Sequence, residues 1–250
     1  MAVAVIALDT ATPTLALAIG DLFGNIFATQ SLRIRHAHAA LLHPLLDGLM
    51  DTVGVAAQDV EGVAVGVGPG SYTGVRIGVT AAKMIAYQLD VPVVGVSSLS
   101  AAAYAARGAE LIAAVFDARR GDAYAGAYAQ QSGIWKVVLE ERRVPCATFA
   151  RELTASGASR IALVGDAADA VLEQLPAESR EACAVYERIA HVRAEHVYEL
   201  ALPELARRSA DGKEGGYGQD AHILVPRYLQ LAEAEARWRA RHRTSARDDQ

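Results

Sequence analysis

The chain has 250 residues, enough for one large domain or for two lobes that each bury a core. Hydrophobic residues make up 52% and charged residues 21%, a balance that excludes a disordered chain. A net charge of −5 argues against a body that grips a nucleic-acid backbone unaided. The two cysteines, Cys146 and Cys183, fit neither a zinc knuckle nor a redox pair, which points to a reduced, cytoplasmic protein.

At the start, Val3 to Leu8 is a short apolar run ended by Asp9 and the turn-prone Thr10-Ala11-Thr12-Pro13, as in a buried strand. The run stops too early for a signal peptide, and no apolar stretch reaches the roughly 18 residues that cross a bilayer. Thr14 to Ile19 alternates, with Leu15, Leu17 and Ile19 on one face and Thr14, Ala16 and Ala18 on the other. A Gly/Asp/Asn turn leads to a third strand near Ile26 to Thr29. Residues His38 to Met50 read as a helix, Glu61 to Val67 as a strand, Ser71 to Leu89 as a second helix and Pro92 to Val96 as a strand. Ser97 or Ser98 caps a further helix through Tyr104.

The opening phrase then returns. Leu111 to Phe116 is apolar and ends in Asp117, followed by a polar turn, a strand around Tyr124 to Tyr128, a turn, and a strand at Ile134 to Leu139. The match of three strands and two turns predicts an internal duplication. Ile161 to Val164 adds a strand, and Glu195 to Arg208 a late helix with Pro203 as kink or boundary. Strands alternating with helices predict mixed α/β sheets flanked by helices in two lobes, 1–98 and 99–230, with a charged tail at 231–250. The tail carries Glu233/Arg237 and Glu235/Arg239 pairs and then Arg241, Arg243 and Arg247. It reads as a solvated, fraying helix, with contact to RNA phosphates as the alternative.

The loop Gly68-Pro69-Gly70-Ser71-Tyr72-Thr73-Gly74 lies between a strand and a helix. Unpaired N–H groups of Gly68, Gly70 and Gly74, the hydroxyls of Ser71 and Thr73, and the charge of Arg76 together suit a phosphate. The spacing is neither that of a Walker loop nor that of the dinucleotide fingerprint. A tight turn passing close to neighbouring backbone explains the glycines equally well. Asp9 and Asp117, at the ends of equivalent strands, form a candidate pair for Mg²⁺ and nucleotide, or else each caps its own turn. Ser71 sits in no G-x-S-x-G, so a serine hydrolase lacks support. His36, His38 and His43 miss the His-x3-His spacing of a metal-binding helix, and no metal is expected. The first helix carries Leu41, Leu45 and Leu49 in one row and Leu42, Leu46 and Met50 in the next. The second has a small-residue side at Gly74, Gly78, Ala81 and Ala82. Such wide stripes pack within the lobe or against another chain.

The run Gly68 to Gly78 closely resembles the G-P-G-S-[FY]-T-G-x-R-x-G signature of the TsaB (YeaZ) family. Asp9-Thr10-Ala11-Thr12, Asp117 to Tyr124, His38 to Pro44 and Pro226-Arg227-Tyr228-Leu229 agree in order. The resemblance implies two ribonuclease-H-like lobes of the actin and sugar-kinase superfamily. It further implies a non-catalytic subunit in tRNA threonylcarbamoyladenosine synthesis that pairs with and activates the transferase TsaD. TsaE would join that pair, and the chain alone would form a homodimer. On this view His38, Leu41, Leu42, Leu45, Leu46, Leu49, Gly78, Ala81 and Ala82 meet the partner, and tRNA is reached through the complex. The chain alone binds no cofactor; ATP or ADP belongs at the complex interface. The competing reading is a small-molecule kinase or ATPase of the same superfamily that uses Asp9 and Asp117.

Overall fold

Two sheets of the same plan organise the chain, whose computed structural model describes residues 4–34, 37–181, 183–185, 191–211 and 216–229. The first sheet holds β1 (Ala4–Asp9), β2 (Thr14–Gly20), β3 (Ile26–Arg33), β4 (Val60–Gly66) and β5 (Val93–Val96), in the order β3-β2-β1-β4-β5. The second holds β6 (Leu111–Asp117), β7 (Asp122–Gln131), β8 (Ile134–Pro145), β9 (Ile161–Val164) and β10 (Cys183–Val185), in the order β10-β9-β6-β7-β8. In both, the first three strands form an antiparallel meander, and the fourth and fifth add in parallel beside the first. This is the expected pair of ribonuclease-H-like lobes. Asp9 and Asp117 end the two equivalent strands, facing Ala16 and Ala123 in register.

Helices α1 (His38–Val53) and α2 (Tyr72–Leu89) cover the outer face of the first sheet. Helices α4 (Cys146–Ala155) and α5 (Ala168–Leu172) cover the outer face of the second, followed by the short α6 (Ala177–Glu181). Between the sheets lie α3 (Ser98–Tyr104) and α7 (Ala194–Asp211), with α8 (Gly218–Ile223) set against α2. Side-chain size follows this layering. The period-two pattern of β1 and β2 sends Ile6, Leu8, Leu15, Leu17 and Ile19 outward beneath α1 and α2. Val5, Ala7, Ala16 and Ala18 face inward, where α3 contributes Ala101, Ala102 and Ala103 and the backbones approach closely. Both faces of β1 are covered, so all six of its residues are buried.

Local signals set most boundaries. Ser97 caps α3 by accepting from the Ser100 N–H at 3.2 Å, and Ser71 caps α2 by accepting from Gly74 N–H at 3.2 Å. The left-handed Asp90 (φ 53°) ends α2 just before Pro92. Helix α7 runs through Pro203 instead of stopping there. The second half was expected to form a lobe by itself, yet α7 packs on β1, β4 and β5 of the first sheet. The chain thus returns to its first half before it ends. The expectations for His36 and for the charged tail fall outside the described residues.

The segment after α8 ties the halves together. The Arg227 N–H donates to the Val67 carbonyl at 2.8 Å, and its Nη1 donates to Glu141 Oε2 on β8 at 2.9 Å. Glu141 is 8% exposed, and its second oxygen accepts from the Tyr128 hydroxyl at 2.7 Å. Burial and the neighbouring Glu141 carboxylate push the Tyr128 hydroxyl well above the usual tyrosine range, so it stays a donor. Arg227→Ala leaves a buried carboxylate without its cation. It should lower the unfolding free energy in urea by about 2–3 kcal/mol, with Glu141→Gln recovering part of that loss in the double variant.

Candidate functional site

The glycine loop is packed against the turn that follows β1. Ser71 N–H donates to the Ala11 carbonyl at 2.8 Å, and the Thr10 hydroxyl donates to the Gly74 carbonyl at 2.7 Å. A Cβ on Gly70 would stand 2.3 Å from the Ala11 oxygen, one on Gly74 2.1 Å from the Thr10 oxygen, and one on Gly78 2.4 Å from Thr10 Oγ1. Gly70 and Gly74 therefore serve backbone-to-backbone contact, and Gly78 leaves room for the Thr10 side chain. The Gly68–Pro69 bond is cis, and Gly68 closes the loop by donating to Ser98 Oγ at 3.1 Å while its carbonyl accepts from Ser98 N–H at 2.9 Å. The hydroxyl-bearing Ser71 and Thr73 and the guanidinium of Arg76 stay exposed at the start of α2.

Asp9 and Asp117 have different environments. Asp9 is wholly buried; it accepts from the Ser98 hydroxyl at 2.6 Å and from the Ala11 N–H at 2.8 Å. Burial pushes its carboxyl up to about 6, against the pull of those two donors. Asp117 is exposed and accepts from the Arg119 N–H at 2.7 Å, while its own N–H donates to Asp166 Oδ1 at 2.8 Å. Burial raises the Asp166 carboxyl as well. Each strand-end aspartate thus holds its own turn. Among the described residues no group of three or more His, Cys, Asp and Glu side chains is arranged to hold a metal ion.

The helical face divides the residues named as a partner surface. The row His38, Leu42 and Leu46 points at the sheet, and Leu46 is 3% exposed in the single chain. Gly78 and Ala82 are buried too. His38, Leu46, Gly78 and Ala82 are therefore corrected from surface to interior, because the i, i+4 row facing the sheet is core in any amphipathic helix, while the buried Leu42 and Ala81 keep an edge on the groove below. Leu41, Leu45 and Leu49 lie one row round and are half-buried. Between α1 and α2 runs a groove of about 460 Å³, floored by Leu42, Ile77 and Ala81 and walled by His43, Thr80, Arg76 and Met84.

The outer face of α2 exposes large apolar groups that the sequence reading left unassigned. Met84 is 64% exposed, Tyr87 58% and Tyr72 46%. Tyr72, Arg76, Thr80 and Met84 recur at four-residue spacing, a signal that was present in the sequence but hidden within a helix apolar nearly all round. Tyr228 stacks on Tyr72 with ring centroids 4.9 Å apart, and Lys83 Nζ donates to the Leu224 carbonyl at 2.9 Å. The C-terminal segment thus borders the exposed face of α2. The roles of Thr10 and Ser98 were also missed, since a long-range hydroxyl bond leaves no local pattern.

Two substitutions test this packing. Gly74→Ala should cost more than about 3 kcal/mol because its methyl meets backbone oxygen. Gly48→Ala, in open space on α1, should instead stabilise by about 0.5–1 kcal/mol in the same urea titration. The Asp9 carboxyl binds protons more tightly in the folded chain than at the ordinary value of 3.8. Its contribution is therefore full below pH 4 and is lost as pH rises through 6, by about 2–3 kcal/mol. Asp9→Asn should flatten that part of a melting-temperature profile between pH 4 and 8. An unchanged slope would place the burial cost elsewhere.

Comparison with known proteins agrees with this geometry. The family model described as TsaD, tRNA N6-adenosine threonylcarbamoyltransferase, matches residues 28–238. The tRNA threonylcarbamoyladenosine biosynthesis protein TsaB of Bacillus subtilis is 34% identical over 235 residues, 94% of this chain and 97% of that protein. The Escherichia coli protein of the same name is 36% identical over 135 residues, 52% of this chain and 58% of its own length. The solved structure of YeaZ from Pseudomonas aeruginosa superposes with a TM-score of 0.71 at 30% identity, covering 91% of this chain and all of that one. No helix among the described residues is long and apolar enough to cross a membrane. With the glycine signature, the doubled sheet and near full-length similarity in agreement, the chain belongs to the TsaB (YeaZ) family of tRNA threonylcarbamoyladenosine biosynthesis proteins.

Proposed function

We propose that this chain is a non-catalytic subunit that pairs with a TsaD-type transferase through α1 and α2 and activates it for modification of tRNA adenosine next to the anticodon. The observation that carries this reading is the apolar groove between those helices, together with Met84, Tyr87 and Tyr72 exposed on the outer face of α2. Large apolar side chains clustered at a concave surface suit burial against another chain. The match to the TsaD family model supports a paralogue as partner, since related chains present related helical faces. TsaE joins the assembled pair, tRNA is met by the complex, and ATP or ADP lodges at the subunit boundary. Without its partner, the same face pairs two copies by a two-fold axis.

The runner-up is a kinase or ATPase that works through Asp9 and Asp117. Against it stand the burial of Asp9 and the commitment of both its oxygens to Ser98 and Ala11. Calorimetry with Mg-ATP separates the two: tight binding by the isolated chain, lost in Asp9→Asn, would favour the enzyme. For the subunit reading, Met84→Asp should leave the melting temperature within about 2 °C, because the side chain touches water already. It should weaken pairing with TsaD by about 100-fold through a charge buried at the interface. Synthesis in a mixture of the transferase, TsaE and the adenylate-forming enzyme should fall in step. Undiminished pairing would remove the groove from the interface.

A further inference from the structure

Arg76 stands at the wall of the groove as a charge with no carboxylate opposite it among the described residues. Arg142, Arg143, Arg207 and Arg227 each lie against a carboxylate. Among the described residues no carboxylate lies within ion-pair distance of Arg76, and the groove lining itself contains none. The chain carries a net charge of −5, so a cation left unmatched on an apolar face is conspicuous. Its side chain is also held in place. Nη1 donates to the Tyr72 hydroxyl at 3.0 Å, and the guanidinium lies 5.4 Å from the centroid of that ring. Tyr72 is in turn stacked on Tyr228, which the backbone of Arg227 fixes to Val67. Ordering a long side chain normally weakens association, and here that ordering precedes any partner.

Resting on the subunit reading above, we propose that Arg76 is the charged anchor of the docking face and that the TsaD-type partner meets it with an aspartate or glutamate side chain. A guanidinium offers a planar pair of N–H donors that matches a carboxylate, and arginine in an apolar surround is a frequent source of binding energy. The anchor also separates partner from self. A second copy brings a groove whose described lining holds no carboxylate, so two-fold self-pairing offers Arg76 no counter-ion from that lining, while a partner with an acidic residue at that point satisfies it.

The test measures affinity of the full chain for the TsaD-type transferase at low and high salt, beside self-association by analytical ultracentrifugation. Arg76→Ala should bind the transferase about 30-fold more weakly and Arg76→Glu several hundred-fold more weakly, with unchanged melting temperatures. Arg76→Lys should fall between wild type and Arg76→Ala. Raising salt should weaken wild type more than Arg76→Ala, and self-association should not weaken in either variant. Replacing one acidic residue of the transferase by lysine should recover binding to Arg76→Glu. Wild-type affinity in Arg76→Ala, alongside loss in Met84→Asp, overturns the anchor alone. An equal loss of self-association overturns it too. So does an effect of Arg76→Ala that vanishes when residues 231–250 are removed, since Glu233 or Glu235 of the tail would then be the counter-ion. No pairing by the wild-type chain at all sinks the subunit reading and the anchor with it.

Discussion

Contact between two pieces of backbone, the glycine loop and the turn after β1, sets the geometry of the first lobe. Gly70 and Gly74 let α2 begin against the carbonyls of Ala11 and Thr10, where any side chain would collide with oxygen. That contact fixes where α2 starts and how close it lies to β1 and β4. With the buried face of α2 fixed on the sheet, its opposite face, from Tyr72 through Arg76 to Met84, is presented to solvent. The position of the groove between α1 and α2 is thus a consequence of glycine packing one turn earlier. Asp9 belongs to the same unit: it braces the turn from within and joins it through Ser98 to the start of α3.

A second constraint holds the two sheets in relation to each other. The small inner faces of β1 and β2 admit α3 and α7 as a shared middle layer, so a single apolar cluster runs from the first sheet to the second. The segment after α8 adds a polar tie across the layers, from Val67 through Arg227 to the buried Glu141 and Tyr128. Because Tyr228 of the same segment stacks on Tyr72, the exposed face of α2 is connected by packed contacts to the second lobe. A chain that keeps the doubled architecture while using its first turn for internal packing is suited to presenting a surface.

Much of the fold could be read locally. The alternation of Leu15, Leu17 and Ile19 with Ala16 and Ala18, the serine caps, and the return of an apolar run ending in aspartate at Asp117 specify strands, helices and duplication, because each depends on residues a few positions apart. The helix Cys146–Ala155 was not anticipated. It follows β8 at Pro145 without a loop and has no side-chain cap to announce it. The glycine motif identified the family, but its chemistry stayed open between phosphate cradle and tight turn, since unpaired donors and close packing call for the same residue.

Sequence alone therefore determined the elements, their repetition and the family. Period, capping and a motif of eleven residues are properties of neighbouring positions. Tertiary structure decided the rest. It placed Leu46, Gly78 and Ala82 in the interior and left Met84, Tyr87 and Arg76 outside, although all of these but Leu46 sit on one helix that is apolar nearly all round. It buried Asp9 and left Asp117 exposed despite their equivalent positions in the repeat. It also brought α7 and Arg227 back to the first half. Each of these outcomes depends on which distant segment covers a face, and a covering contact between residues far apart leaves no periodic trace in the chain.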